Sequence, residues 1–350
     1  MTATRSRSVR RLFRTAAVAG LGLTAWEIQR RRDLRAVEAD PEWRELNRPL
    51  DGRSSVVHAS DGVRLHVETF GADDAPAIVL VHGWTCDITF WHYQIRDLSR
   101  YFRVIAYDQR GHGGSDVPTD ADSYTADTLA SDLQSVLDAC VPDGQKCVVA
   151  GHSMGGMTIV AWAGRHPDIV RSRLAGAALI NTGMNELTAR LLVLGPRAGA
   201  RVHNAVITPL VTASHGVSTR FEPISYRVIR RLVAGRSASP GRVAFMHRMI
   251  LNCPAPVRAG FGRLFRDLDL SDSVPALVVP TIVVTSDEDR LLPLWHSKQL
   301  AQRLPDLVEI VELSGIGHMS PLEAPEAVTA HLRRLAADTL AAARSAVYAG

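Results

Sequence analysis

Short apolar runs recur along the chain, each five to nine residues long and bounded by turn-forming residues. Their near-continuous hydrophobicity is typical of parallel strands that are covered on both faces, and the segments between them show helical spacing. We predict strands at 77–81, 102–107, 146–150, 174–180, 277–285 and 307–313, and helices at about 89–99, 125–140, 154–165, 294–304 and 324–343.

The pattern before the first of these runs is different. Residues 54–60 and 62–70 flank an Asp-Gly pair, a strong hairpin signal because glycine accepts a positive φ at no steric cost. Apolar and polar residues alternate from Val63 to Glu68, so this strand is expected to bury one face only. A hairpin followed by alternating strands and helices predicts an α/β fold, a mostly parallel doubly wound sheet of about eight strands.

One long segment interrupts the alternation. Residues 184–272 show helical spacing and no convincing strand, which indicates a helical cap inserted into the sheet domain. The predicted organisation is therefore a basic N-terminal segment at 1–53, a core formed by 54–183 and 273–350, and the cap at 184–272.

Charge is distributed unevenly along the chain. The net charge of +4 over 350 residues is too small to indicate a nucleic-acid partner, but residues 1–35 carry a net +7 and the cap a net +8. Two basic regions of this size would suit an anionic membrane surface. A solvated arginine-rich face is the alternative interpretation of the cap.

The N-terminal segment contains a short apolar stretch, residues 15–26, between arginine clusters. Twelve helical residues reach about 18 Å, less than the roughly 30 Å hydrocarbon core of a bilayer. We therefore expect a membrane-surface anchor and a membrane-associated protein, with a solvated arm on a cytoplasmic protein as the alternative. Arg10-Arg11 loosely resembles a twin-arginine export signal, although the basic run after the apolar stretch argues against cleavage.

Candidate chemistry begins at residues 151–155, which read Gly-His-Ser-Met-Gly between a predicted strand and a predicted helix. A G-x-S-x-G at such a turn exposes the serine in a strained conformation. Serine needs a nearby base, which is itself oriented by an acid. His318 and an acidic loop at 286–290 follow the last two predicted strands, so they reach the same sheet edge as Ser153.

Taken in order, the sequence motifs resemble the α/β hydrolase fold family over about residues 54–340. The turn that carries Ser153, called the nucleophile elbow in this family, is similar to that of monoacylglycerol-lipase-like serine esterases. The motifs are His82-Gly83-Trp84, residues 108–115 (DQRGHGGS), residues 151–156 (GHSMGG), Asp289 three residues before Leu292-Pro293, and Gly317-His318.

The resemblance implies a role for each of these residues. Ser153 would be the nucleophile, Asp289 the acid and His318 the general base. The backbone N–H groups of Trp84 and Met154 would form the oxyanion hole.

The sequence departs from the family pattern near the acid, because Ser286 stands where the family often has glycine. Asp287 and Glu288 in the same loop are therefore alternative acids.

Other residues neighbour the predicted site in sequence. Cys86 has no neighbour that would lower its pKa, so it is interpreted as a pocket wall. His112 and His152 are interpreted as structural histidines, and residues 108–115 as a structural turn in which Asp108 and Arg110 pair. The residues predicted to line the substrate pocket are His82, Gly83, Cys86 and His152.

These observations predict a serine hydrolase that cleaves carboxylic esters through an acyl-enzyme and needs no cofactor. The thirteen histidines show no metal-ligand spacing, so no metal is expected. Apolar runs in the cap at 191–194, 205–210 and 245–251 favour a hydrophobic or lipid-like substrate.

Several alternatives stay open. One group is other serine-triad chemistry on the same fold: cofactor-free perhydrolysis of the haloperoxidase type, C–C bond hydrolysis or acyl transfer. A non-catalytic ligand-binding protein is another. Serine at position 153 argues against branches that resemble haloalkane dehalogenases and epoxide hydrolases, which use aspartate there.

Overall fold

The computed structural model describes Thr24, residues 26–187 and residues 222–348. Eight strands form one sheet in the order β1-β2-β4-β3-β5-β6-β7-β8. The β1–β2 and β2–β4 pairs are antiparallel and all other pairs are parallel, which confirms the predicted α/β fold and its leading hairpin. The strands are β1 (Arg53–His58), β2 (Arg64–Phe70), β3 (Ala77–Val81), β4 (Arg103–Tyr107), β5 (Cys147–His152), β6 (Leu174–Ile180), β7 (Thr281–Ser286) and β8 (Leu307–Leu313).

Helices cover both faces of this sheet. The sheet's two faces bury separate apolar clusters, one under α3 and α12 and the other under α4, α5 and α10, as defined below. The helices in the described part of the chain are α1 (26–39), α2 (Pro41–Leu46), α3 (His92–Leu98), α4 (Ala126–Cys140), α5 (Met154–Arg165), α6 (Val170–Arg173), α7 (Pro223–Val233), α8 (Pro240–Asn252), α9 (Ala255–Asp267), α10 (Leu294–Ala301), α11 (Ser320–Glu323) and α12 (Pro325–Tyr348).

The sequence prediction was wrong at two strands. The strand predicted at 277–285 begins only at Thr281, directly after Pro280, whose missing N–H cannot join a ladder. The strand at 307–313 is not covered on both faces, since Val308 is 57% exposed. Its apolar residues lie in the last strand of the sheet, so β8 has a neighbour on one side only.

Three helices of the predicted cap, α7 to α9, lie between β6 and β7, and no strand is present among the described residues of this insertion. The predicted apolar runs at 191–194 and 205–210 lie outside the described residues. The run at 245–251 belongs to α8, where it is mostly buried.

The described part of the N-terminal segment packs against the cap. The carboxylate of Asp33 accepts two hydrogen bonds from Arg227, at 2.8 and 3.0 Å, and Asp40 accepts one from the N–H of Gly241 at 2.7 Å. The guanidinium of Arg248 lies 4.9 Å from the ring of Trp43.

Most of the predicted membrane anchor lies outside the described residues. Within them, no helix combines the length and the hydrophobicity that crossing a bilayer requires.

Candidate active site

Ser153 occupies a sharp turn between the end of β5 and the start of α5. Its backbone φ of 52° lies in the left-handed region, which residues other than glycine rarely adopt. A Cβ on Gly155 would lie 2.1 Å from the carbonyl oxygen of Val81, and a Cβ on Gly151 would lie 2.4 Å from the carbonyl carbon of Gly155. Glycine is therefore required on both sides of the serine, which stays partly exposed while its neighbours are buried.

A buried histidine and aspartate face each other beside this turn. The Nδ1 N–H of His318 donates to Oδ2 of Asp289 at 2.7 Å, and the two residues are 4% and 3% exposed. The other oxygen, Oδ1, accepts the N–H groups of Leu291 and Leu292 at 2.9 and 2.8 Å. These bonds fix the orientation of the carboxylate and hence the tautomer of His318.

The alternative acids in the same loop bind other groups. Asp287 accepts hydrogen bonds from the N–H of Gly315 at 2.7 Å and from the hydroxyl of Ser314 at 2.9 Å. Glu288 accepts the N–H of Arg236 at 2.8 Å and also pairs with its guanidinium. The carboxylate that reaches His318 is thus that of Asp289.

The elbow, the His318 loop and the loop after β3 meet at one place. The Nε2 N–H of His152 donates to the carbonyl of His318 at 2.8 Å, and the two rings are 4.9 Å apart. A Cβ on Gly83 would lie 3.2 Å from Cβ of Ser153 and 2.6 Å from Nδ1 of His152. The structure thus brings together segments that are far apart in the sequence.

The loop after β3 is held by two buried histidines. His82 donates from Nδ1 to the carbonyl of Gly83 at 2.7 Å and accepts the N–H of Gln109 on Nε2 at 3.0 Å. His112 accepts the N–H of Thr85 on Nε2 at 3.1 Å, and Thr85 has a positive φ of 63°. Because each Nε2 accepts a hydrogen bond, both rings must be neutral.

Burial favours this neutral form. Desolvation lowers the pKa of His82, lowers that of His112 to about 3, and lowers that of His152 well below its ordinary value.

Within the described residues, the N–H groups of Trp84 and Met154 donate no hydrogen bond. The two predicted oxyanion donors are therefore free to bind an oxygen.

Comparison with known proteins identifies the family. A family model described as the alpha/beta hydrolase fold matches residues 76–325. The chain belongs to the α/β hydrolase fold family. The predicted resemblance to this family is confirmed.

The proteins that are similar to this chain differ in their named activities and in the share of their length that the match covers. Over 129 residues it is 37% identical to epoxide hydrolase 4 of Mus musculus, a match that covers 37% of this chain and only 34% of that protein. Over 281 residues it is 25% identical to 3-oxoadipate enol-lactonase 1 of Acinetobacter baylyi, covering 78% of this chain and 93% of that protein. The structure of a thermophilic esterase from Thermogutta terrifontis superposes with a TM-score of 0.64 at 26% identity, covering 81% of this chain and 99% of the esterase.

Apolar side chains of the cap cover the predicted oxyanion residues of this α/β hydrolase. The ring of Phe265 on α9 packs edge-on against Trp84 at 5.4 Å, and Phe261 lies in one apolar cluster with Met154. Cys86 is 2% exposed, and burial raises the pKa of its thiol well above its ordinary value. The thiol is therefore protonated and unreactive at neutral pH.

The predicted pairing of Asp108 with Arg110 is wrong. Asp108 accepts the N–H groups of Ile88 and Gly114, each at 2.8 Å. Arg110 makes a two-point contact with Asp132 on α4, at 2.6 and 2.7 Å. A fully buried guanidinium requires a charged partner, and Asp132 is itself fully buried. Asp108 is occupied by the two backbone donors and by His66, whose Nδ1 lies 2.8 Å from Oδ2.

Sequence reasoning missed two polar residues of the site. Asn181, directly after β6, donates to Oδ2 of Asp289 at 3.0 Å and so supports the acid. Its position after a buried strand at the same sheet edge is a signal that could have identified it. Glu323 lies beside His318 through backbone contacts, and nothing in the local sequence distinguishes it from other helix residues.

Among the described residues no cluster of metal-ligating side chains occurs.

Proposed function

We propose that this α/β hydrolase cleaves carboxylic esters through an acyl-enzyme. Ser153 attacks the ester carbonyl while His318 takes its proton, and the same proton then passes to the leaving alkoxide. Water attacks the acyl-enzyme in the second half of the cycle and restores Ser153. The observation that carries the proposal is the 2.7 Å contact of His318 with Asp289 beside a serine held in the left-handed conformation.

The oxyanion donors make the second contribution. The free N–H groups of Trp84 and Met154 would bind the carbonyl oxygen as it gains charge. Met154 is the first residue of α5, so its N–H points out of a helix N-terminus, where negative charge is stabilised. Each donor of this kind is typically worth about 2.7–4 kcal/mol of barrier.

The nucleophile favours ester cleavage over epoxide opening. The family branches that resemble epoxide hydrolases have aspartate where this chain has Ser153, and the match to epoxide hydrolase 4 covers only about a third of that protein. The enol-lactonase and the esterase match most of their own length, and a lactone is a cyclic ester. The apolar cover from Phe261 and Phe265 suits a hydrophobic acyl or alcohol group.

The proposal is tested with p-nitrophenyl esters of increasing acyl length. We expect the wild-type chain to hydrolyse them and Ser153→Ala to lower kcat by about 10⁴- to 10⁶-fold. The matched control is Ser172→Ala, an exposed serine outside the site, which should leave kcat unchanged. A fluorophosphonate should label the wild type and the control but not Ser153→Ala. Undiminished turnover by Ser153→Ala would refute the mechanism.

We also propose that the protein binds anionic membranes through α1 and α7. The link between Asp33 and Arg227 places these two helices side by side. Exposed apolar side chains on a helix rich in arginine suit the boundary between lipid head groups and acyl chains. The exposed apolar residues are Trp26 and Ile28 on α1, and Ile224 and Val228 on α7.

Vesicle flotation tests this surface. The full chain should bind phosphatidylglycerol vesicles more strongly than phosphatidylcholine vesicles, and the double variant Ile224→Ser/Val228→Ser should bind more weakly. Val117→Ser, an equally exposed valine in the loop after β4, is the control. Equal binding of all proteins to both kinds of vesicle would contradict the proposal.

A further inference from the structure

The end of α7 and the turn that follows it bond directly to the loops that carry the histidine and the aspartate. We call residues 231–237 the cap bridge. The N–H of His318 donates to the carbonyl of Val233 at 2.8 Å. Arg290, next to Asp289, donates to the carbonyl of Ala234 at 3.0 Å. Backbone carbonyls of the cap bridge therefore accept hydrogen bonds from both loops that carry the proposed catalytic pair, His318 and Asp289.

One buried carboxylate joins the cap bridge to both sides of the histidine. Glu323, at the end of α11, is 5% exposed. Its Oε2 accepts the N–H of Gly235 in the cap bridge at 2.7 Å and that of Gly317 at 3.2 Å. Its Oε1 accepts the N–H of Met319 at 3.2 Å. Gly317 and Met319 flank His318, so this carboxylate fixes the backbone on either side of the proposed base.

The backbones of the cap bridge and the His318 loop are in direct contact. A Cβ on Gly317 would lie 2.4 Å from the nitrogen of Gly235, and a Cβ on Gly235 would lie 2.5 Å from the carbonyl oxygen of Gly315. No side chain separates the two segments at this point. A movement of the cap bridge towards the His318 loop must therefore displace that loop.

We propose that Glu323 is a positioning residue that couples docking of the cap bridge to the placement of His318. The inference rests on the proposed function, because it requires His318 to act as the base. In this role the carboxylate touches no substrate. It holds the imidazole where it can receive the proton of Ser153, and it does so only while the cap bridge supplies the N–H of Gly235.

The protonation state of Glu323 should control this coupling. A carboxylate can accept all three N–H groups, whereas a carboxylic acid would direct an O–H at one of these donors. Burial raises the pKa of Glu323 to about 7, against the three backbone hydrogen bonds that lower it. The charged groups that face it are Asp289 and Arg290 from the loop after β7, and Arg242 from α8, which donates to its backbone carbonyl at 2.9 Å.

The wild-type enzyme should therefore lose activity through two protonations as the pH falls. A plot of log kcat against pH normally falls with a slope of 1 when a single protonation inactivates an enzyme. We expect a slope above 1 below pH 7, because protonation of Glu323 also releases the His318 loop. The measurement is kcat for p-nitrophenyl butyrate from pH 5 to pH 9.

The variant Glu323→Gln keeps the size of the side chain but places an amide NH₂ against one of the three donors. We expect kcat to fall 10- to 100-fold, as misplacement of a catalytic group by about 1 Å does, with KM within threefold of wild type. The acid limb should return to a slope of 1. The matched control is Glu326→Gln, an exposed glutamate three residues later, which should leave kcat and the slope unchanged.

These outcomes separate the inference from the proposed function. Wild-type kcat and an unchanged acid limb in Glu323→Gln would overturn the role of Glu323, even if Ser153→Ala is inactive. Full activity of Ser153→Ala would overturn the proposed function instead. If Glu323→Gln does not fold, the wild-type profile decides: a slope of 1 down to pH 5 overturns the inference, and a steeper slope that Glu326→Gln retains supports it.

Discussion

The two halves of the candidate active site are built differently. The oxyanion side comprises residues 82–85, 108–115 and 151–156, where close backbone packing, neutral buried histidines and one carboxylate, that of Asp108, hold the loops. The histidine side comprises residues 286–292 and 314–323, where ionisable carboxylates bind backbone N–H groups.

The two sides also meet the cap in different ways. The oxyanion side contacts α9 through apolar side chains, with Val257 against Gly111 and Phe261 against His112. The histidine side is joined to the cap bridge by hydrogen bonds such as that from His318 to Val233. Apolar contacts are non-directional, whereas hydrogen bonds fix distances and angles. We therefore expect cap motion to disturb the base far more than the oxyanion donors.

On the histidine side, the largest expected effect comes from Asp289→Asn. Oδ1 of Asp289 accepts two backbone N–H groups, so the amide oxygen of asparagine must take that position and its NH₂ must face His318. His318 would then carry its proton on Nε2 and could not accept one from Ser153. We expect kcat to fall about 10⁴-fold, equivalent to roughly 5.5 kcal/mol. Thermal stability should fall as well, because the new NH₂ also faces the NH₂ of Asn181.

The control for this measurement is Asp74→Asn, an exposed aspartate in the loop before β3, which should not change kcat. A decrease of less than tenfold in Asp289→Asn would mean that another group orients the histidine. The oxyanion side should be intact in this variant.

A smaller effect is expected when the oxyanion side is tested through stability. In the folded protein His112 stays neutral down to a pKa of about 3, whereas in the unfolded chain it takes up a proton below about pH 6.5. Unfolding therefore binds a proton between these values. The free energy of unfolding should fall as the pH is lowered from 6.5 towards 3, with a contribution from His112 on the order of 3 kcal/mol at pH 4.

The variant His112→Gln isolates this contribution, because its amide can accept from Thr85 and donate to Arg110 without titrating. Urea unfolding at pH 7 and pH 4 should show a smaller loss of stability in the variant than in wild type. An equal loss in both proteins would contradict the prediction. Glu323 has the opposite sign: burial raises its pKa, so its contribution is lost as the pH rises through about 7.

The sequence predicts the oxyanion side better than the histidine side. The elbow and the loop after β3 are contiguous segments whose glycines and strand ends are visible in the sequence, and the boundaries of β3 and α5 match the prediction to the residue. The elements there are defined by local patterns. Even so, the partner of Arg110 was mispredicted, because Asp132 lies 22 residues away on a helix that folds beneath the turn.

The histidine side depends on contacts between distant segments. Glu323 is 88 residues from Gly235, and Asn181 is 108 residues from Asp289. Neither pair follows a helical or strand period, so periodicity cannot reveal it. The choice among the three acids of the 286–290 loop likewise depends on which side chain the tertiary fold turns toward His318. For this reason the sequence left Asp287 and Glu288 open as alternative acids even after the family resemblance favoured Asp289.

The smallest expected effects belong to the two alternative acids, and they separate the cap contact from catalysis. Glu288 pairs with Arg236, whose side chain is 80% exposed, so solvent screens the charge pair. Glu288→Gln should change kcat less than twofold and stability by less than about 1 kcal/mol. Asp287→Asn should behave similarly, because its amide oxygen can still accept the N–H of Gly315. Steady-state kinetics checks both variants. If either variant is as impaired as Asp289→Asn, the acid is assigned to the wrong residue. The contrast between the two sides would then no longer depend on Asp289.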